Sequence, residues 1–127
     1  ADLNGDGKVD IVTSNSDSNN LGILLNAGAG TFAGVQFLAT GEFPADLQIA
    51  DLDGDAKPDV IVSCEGAKRL EVWMGFGDGS FFPSKYQLSR SGGGPLSVTD
   101  LSGDGKPDLL IGSEATGTLT VLLNSSP

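Results

Sequence analysis

The sequence contains no histidine and a single cysteine, Cys64. One cysteine excludes an internal disulfide framework and any cysteine-based zinc site. Without histidine, the usual catalytic triads, His-ligated zinc and a His general base are excluded too. Basic residues are scarce: 7 Lys and Arg face 17 Asp and Glu, leaving a net charge of -10. That balance argues against nucleic acid and anionic membrane surfaces as partners, and fits cation binding where the acids cluster. No apolar run approaches the roughly 18 residues of a membrane span, so no membrane insertion is expected. No signal peptide is recognisable in the chain. The 19 glycines and the shortage of helical periodicity point to many turns and an all-β layout. A hydrophobic content of 39% over 127 residues suits one ordered domain despite the charge.

What is present is a repeat. "DLNGDGKVDIV" from Asp2 recurs as "DLDGDAKPDVIV" from Asp51 and "DLSGDGKPDLLI" from Asp100, at a constant spacing of 49 residues. The phase persists beyond the motif. Leu21, Leu70 and Leu119 align, as do Ile23, Val72 and Val121, and Leu25, Met74 and Leu123. In the middle copy the pattern predicts four short strands, at 47–50, 59–63, 70–74 and 81–88, with the run "VIV" buried on both faces and Pro83 on an exposed edge. Four antiparallel strands per repeat of this length is the pattern of a β-propeller blade. About two and a half blades are expected in one propeller domain. Residues 1–39 form a partial blade without its first strand, 40–88 a complete blade, and 89–127 a partial blade without its last strand. Other blades, or copies of the same chain, are the partners expected to complete the propeller.

The acidic loop opening each repeat has the makings of a Ca²⁺ site, because a hard cation takes six to eight oxygens, several of them charged. Positions 1, 3 and 5 are Asp2, Asn4 and Asp6, then Asp51, Asp53 and Asp55, then Asp100, Ser102 and Asp104. Position 9 supplies Asp10, Asp59 and Asp108. Position 7 supplies the backbone carbonyls of Lys8, Lys57 and Lys106, with each ammonium expected to point to solvent. Asp, Asn and Gly also make ordinary turns. Yet 10 of the 17 acidic residues occupy these positions, and such crowding repels without a counter-ion. Up to three Ca²⁺, one per loop, are expected. These are not EF-hands: position 12 is Thr13, Val62 or Ile111 instead of a bidentate Glu, and a strand follows in place of a helix. Ala56 replaces a position-6 glycine, at a cost of about 1 kcal/mol if that position needs positive φ. Ser102 is a weak ligand, so the third loop is expected to bind least tightly. Asp2, with no strand leading into it, is expected to be poorly anchored.

With "LLNAGAGTF" and "WMGFGDGSFF" added to these motifs, the chain resembles the FG-GAP/VCBS repeat family over nearly its whole length. The resemblance implies seven-bladed propellers, as in integrin α-subunit heads and certain fungal lectins, with the matching loop binding Ca²⁺ between strands one and two. It also implies an extracellular, secreted setting and a non-enzymatic, lectin-like role with glycans as ligands. The alternatives are an integrin-like propeller that reads a protein, a scaffold propeller of a larger enzyme, and a self-assembling blade fragment. Sugar recognition favours planar or charged hydrogen-bonding groups beside an apolar platform. On the face opposite the acidic loops, Asn15, Asp17, Asn20, Glu42, Phe43, Glu65, Arg69 and Arg90 are the candidates. Trp73 aligns with Leu24 and Leu122 and is read as a packing residue, Cys64 as a free thiol near a strand end. Glu71 and Glu114 lack a partner at a defined spacing, which leaves paired-carboxylate catalysis unsupported.

Overall fold

The computed structural model describes residues 1–83, 88–89 and 94–126. In chain order the strands are β1 (Ile11–Asn15), β2 (Asn20–Leu24), β3 (Asn26–Gly28), β4 (Thr31–Phe32), β5 (Gln36–Ala39), β6 (Pro44–Ala50), β7 (Asp59–Cys64), β8 (Arg69–Gly75), β9 (Phe81–Pro83), β10 (Leu88–Ser89), β11 (Leu96–Thr99), β12 (Asp108–Ser113) and β13 (Thr118–Leu122). The fold is all-β, with one 3₁₀ turn among the described residues, at Ser16–Ser18 between β1 and β2. Among the described residues no helix is long and apolar enough to cross a membrane.

Among the described residues, three antiparallel sheets of three or more strands follow one another along the chain. The first has the order β1-β2-β5, with the small hairpin β3-β4 beside it. The second runs β6-β7-β8, and both β9 and β10 pair with β8. The third has the order β11-β12-β13. Of the fourth strand expected at 81–88, Phe81–Pro83 and Leu88 are described, and both stretches pair with β8. Residues 84–87, including Tyr86, lie outside the described residues.

Alternation along β7 decides how the sheets stack. Every residue of β7 is buried, and successive side chains leave opposite faces. Val60, Val62 and Cys64 pack with Leu3, Leu21, Ile23 and Trp73, between the first and second sheets. Ile61, with Leu70 and Val72 of β8, meets Leu96, Leu109 and Ile111 of the third sheet. The middle sheet is therefore apolar on both faces, as "VIV" implied. Trp73 is a packing residue.

Polar ties reinforce both boundaries. Between the second and third sheets, the Leu96 N–H donates to Asp46 Oδ2 at 2.8 Å, and Gln48 Nε2 donates to the Leu96 carbonyl at 3.3 Å. Between the first and second, Glu71 accepts the Gly41 N–H at 3.0 Å while paired with Arg69 at 2.6 Å. Glu71 is therefore no lone acid. Residues two apart on a strand share a face, and that spacing brings Arg69 onto it.

Cys64 is fully buried, and desolvation pushes its thiol from an ordinary 9.0 up to about 11. Two pH units correspond to a roughly 100-fold smaller thiolate fraction near neutrality. A disulfide reagent should therefore label Cys64 only as the native protein opens, and promptly in denaturant. Prompt native labelling would contradict the packing described.

Candidate metal centre

Each acidic loop is curled by its first residue. Asp51 accepts the N–H groups of Gly54 and Ala56, each at 2.8 Å. Asp2 does the same for Gly5 and Gly7 at 2.8 Å, and Asp100 for Gly103 at 2.7 Å and Gly105 at 2.9 Å. Asp2 is thus as well tied as its counterparts, contrary to expectation, because its anchors lie within the loop and not in a preceding strand. The curl needs a left-handed residue at position 6: φ is 81° at Gly7, 85° at Gly105 and 65° at Ala56. Ala56 carries the strain that its identity implied.

The position-9 aspartate begins the next strand at Asp59 and Asp108, immediately precedes it at Asp10, and is buried in all three copies. One oxygen of Asp59 accepts the Leu52 N–H and the other the Gly75 N–H, both at 2.9 Å. Asp10 holds Leu3 and Asn26 at 2.8 Å in the same way. Asp108 holds Leu101 at 2.9 Å and Asn124 at 2.8 Å. At Gly75 a Cβ would collide with the Pro58 carbonyl, so this copy takes a glycine where the others have Asn26 and Asn124.

At positions 5 and 7 the expectation of solvent-directed lysines fails in two loops. Lys8 Nζ sits 2.9 Å from Asp6, and Lys57 Nζ 2.7 Å from Asp55. The curl brings residues two apart face to face. These pairs hold the Asp6 and Asp55 carboxyls below the usual range and raise both lysines. Lys106 instead donates to the Ser126 carbonyl.

Loop two alone brings three carboxylates together among the described residues. Oxygens of Asp51, Asp53 and Asp59 lie within 4.8 Å of one another, from one half-buried, one exposed and one buried residue. Burial raises the Asp59 carboxyl above its ordinary value despite its two N–H donors, and the charges of Asp53 and Asp55 add to the rise. Asp108 moves the other way, chiefly through the Asn124 N–H. Three hard anionic oxygens, one disfavoured as an anion by its surroundings, form a donor set that could hold a divalent cation. Position 3 makes the difference, being a carboxylate only in Asp53, against Asn4 and Ser102.

The remaining candidates do not form one site. Asn15, Asp17 and Asn20 line an open hollow with Ser16, Ser18 and Phe37. Glu65 lines a separate hollow with Asp46 and Glu114. Arg69 is engaged by Glu71. Glu42 and Phe43 are exposed, with the Phe43 N–H donated to Asn19 at 2.9 Å. Arg90 lies outside the described residues. Asn26 and Asn124 were missed. They align with Gly75 at the 49-residue spacing, and that alignment is the signal that could have found them.

The model of the FG-GAP-like repeat matches twice, over residues 2–62 and 51–111. The chain belongs to the FG-GAP-like repeat family. Its sheets are accordingly propeller blades, called blades one to three below. No curated protein matches the chain.

Replacing Ala56 with glycine removes the left-handed strain while adding unfolded-chain entropy. The net gain should be about 0.5–1 kcal/mol, read as a melting temperature roughly 2–5 °C higher. An unchanged or lower melting temperature would show that the FG-GAP loop does not hold residue 56 in this conformation.

Proposed function

We propose that this chain is a calcium-stabilised propeller segment of an extracellular, non-enzymatic protein that binds carbohydrate. The observation that carries the metal part is the convergence of Asp51, Asp53 and Asp59 within 4.8 Å. Loops one and three share the same backbone curl and the same buried position-9 aspartate, so Asp2, Asn4, Asp6 and Asp10, and Asp100, Ser102, Asp104 and Asp108, are the corresponding holders there. A bound divalent cation supplies the positive charge that those oxygens lack. The loop residues orient the oxygens, and the position-9 aspartate fixes the loop to the neighbouring strands.

A binding role in place of catalysis is supported by the uses already made of the buried acids. Asp10, Asp59 and Asp108 accept backbone N–H groups, and Glu71 is paired with Arg69. The carbohydrate reading is supported by the hollow at Asn15, Asp17, Asn20 and Phe37, of about 580 Å³, where amides and a carboxylate border an exposed ring. Planar hydrogen-bonding groups beside an apolar surface are what sugar hydroxyls and ring C–H groups require.

Excess Ca²⁺ should raise the melting temperature and EGTA should lower it, since ligand at 100 times its Kd stabilises by about 2.7 kcal/mol. Asp53→Asn should weaken the tightest calorimetric site towards the affinity of loop one, whose position 3 is Asn4, and leave the others unchanged. An identical melt in both buffers would refute the metal role. A glycan array blank for every sugar, with the calcium effect intact, would refute the carbohydrate role alone.

A further inference from the structure

Asn4 is one of six asparagines, and it alone is followed by a glycine. That pairing has its own chemistry. With no side chain on Gly5, its backbone nitrogen is free to approach the Asn4 carboxamide closely, and a Cβ built at Gly5 would meet nothing within 4 Å. Asn4 is half-buried and Gly5 exposed, so the peptide between them is open to water.

The curled loop keeps the reacting atoms engaged elsewhere. The Gly5 N–H donates to Asp2 Oδ1 at 2.8 Å. The Asn4 carboxamide is turned to Asp6: its Oδ1 accepts the Asp6 N–H at 3.1 Å, and its Nδ2 donates to Asp6 Oδ2 at 3.3 Å. Attack by the Gly5 nitrogen therefore requires the loop to give up its charge-assisted bond to Asp2. In the other loops Gly54 and Gly103 are held the same way, by Asp51 at 2.8 Å and Asp100 at 2.7 Å. Position 3 differs, however. Ser102 has no carbonyl to attack, and the Asp53 carboxylate gives up oxygen far less readily than an amide gives up ammonia.

We infer that the Asn4–Gly5 peptide is a self-modifying site, guarded by the curl of loop one. When the loop opens, the Gly5 nitrogen bonds to Asn4 Cγ and the Cγ–Nδ2 bond breaks. The Gly5 proton passes through solvent to the departing nitrogen, which leaves as ammonia, and a cyclic imide joins the two residues. Water then adds to one of its two carbonyl carbons. Opening the bond from Cγ to the Gly5 nitrogen restores the normal backbone with aspartate at residue 4. Opening the other bond leaves isoaspartate, with the chain running through Cγ.

Either product adds one negative charge to the net -10. The aspartate form carries at position 3 the carboxylate that Asp53 supplies in loop two, and so acquires that loop's donor set. The isoaspartate form adds a backbone atom inside the curl, where Asp2 spans Gly5 and Gly7. These consequences for cation binding rest on the calcium reading; the modification itself does not.

Incubation of the intact chain in EGTA at mildly alkaline pH, followed by ion-exchange chromatography and peptide mapping, tests it. Acid is expected at residue 4, as aspartate and isoaspartate, ahead of every other asparagine. Because a hydrogen bond to a charged group must break first, the native chain should react roughly 10- to 100-fold more slowly than the chain in denaturant. Asp2→Ala should remove most of that difference with unchanged far-UV circular dichroism, and Asn4→Gln should suppress acid formation at residue 4. If Asp2→Ala loses its fold, Asp2→Asn takes its place and should give a smaller acceleration, since an amide oxygen is the weaker acceptor. Equal rates in the native and denatured chain overturn the inference. So does an unchanged rate in the folded Asp2 variant, or another asparagine reacting first. Acid at residue 4 that leaves calorimetric Ca²⁺ binding unaltered would uphold the modification and count against loop one as a metal site.

Discussion

A carboxylate that accepts two backbone N–H groups from different elements organises each blade. Asp59 ties the acidic loop, through Leu52, to the end of β8, through Gly75, and itself begins β7. Three pieces of chain far apart in sequence meet on one side chain. Charge-assisted hydrogen bonds of this kind are roughly twice as strong as neutral ones. Removing the carboxylate would leave two buried donors, at about 1–3 kcal/mol each. Asp10 and Asp108 repeat the arrangement, and that repetition gives the blades their common geometry.

From that anchor the stacking follows by alternation. With Asp59 fixing where β7 begins, Val60 and Val62 fall on one face and Ile61 on the other. A slip of one residue would exchange the faces and carry Asp59 away from Leu52 and Gly75. Register, loop closure and sheet packing are thus one constraint seen three ways. The Arg69–Glu71 pair adds a tie beneath the connection from blade one to blade two, where Gly41 approaches too closely for a larger residue.

The all-β architecture and the strands of the middle blade were legible because apolar alternation and the 49-residue period are properties of the sequence itself. So was the strain at Ala56, since the curl demands a left-handed residue at position 6 whatever occupies it. The lysines at position 7 were not legible. Whether an ammonium folds back or extends depends on loop curvature, which residue type does not encode. Glu71 escaped for a related reason: its partner Arg69 was visible, but not the Gly41 N–H brought in by the connection between blades one and two. The sugar candidates were grouped by loop, and the fold distributes those loops over separate hollows.

Among the described residues, no side-chain cation joins the three carboxylates of loop two. A carboxylate offers about four acceptor sites. In Asp51 and Asp59 backbone N–H groups use some of these and leave others near Asp53. Lys57 is taken by Asp55, which is not one of the three clustered carboxylates. Three carboxylates within 4.8 Å repel by about 1 kcal/mol per pair at water-like screening, and by about 3 where the effective dielectric constant is near 20. An ammonium on a four-carbon stem brings one charge and needs room for its own hydration. A compact divalent ion brings two, with no chain to accommodate. The carboxylates that converge where the strands are tied thus form a donor set that suits a compact divalent cation better than an ammonium.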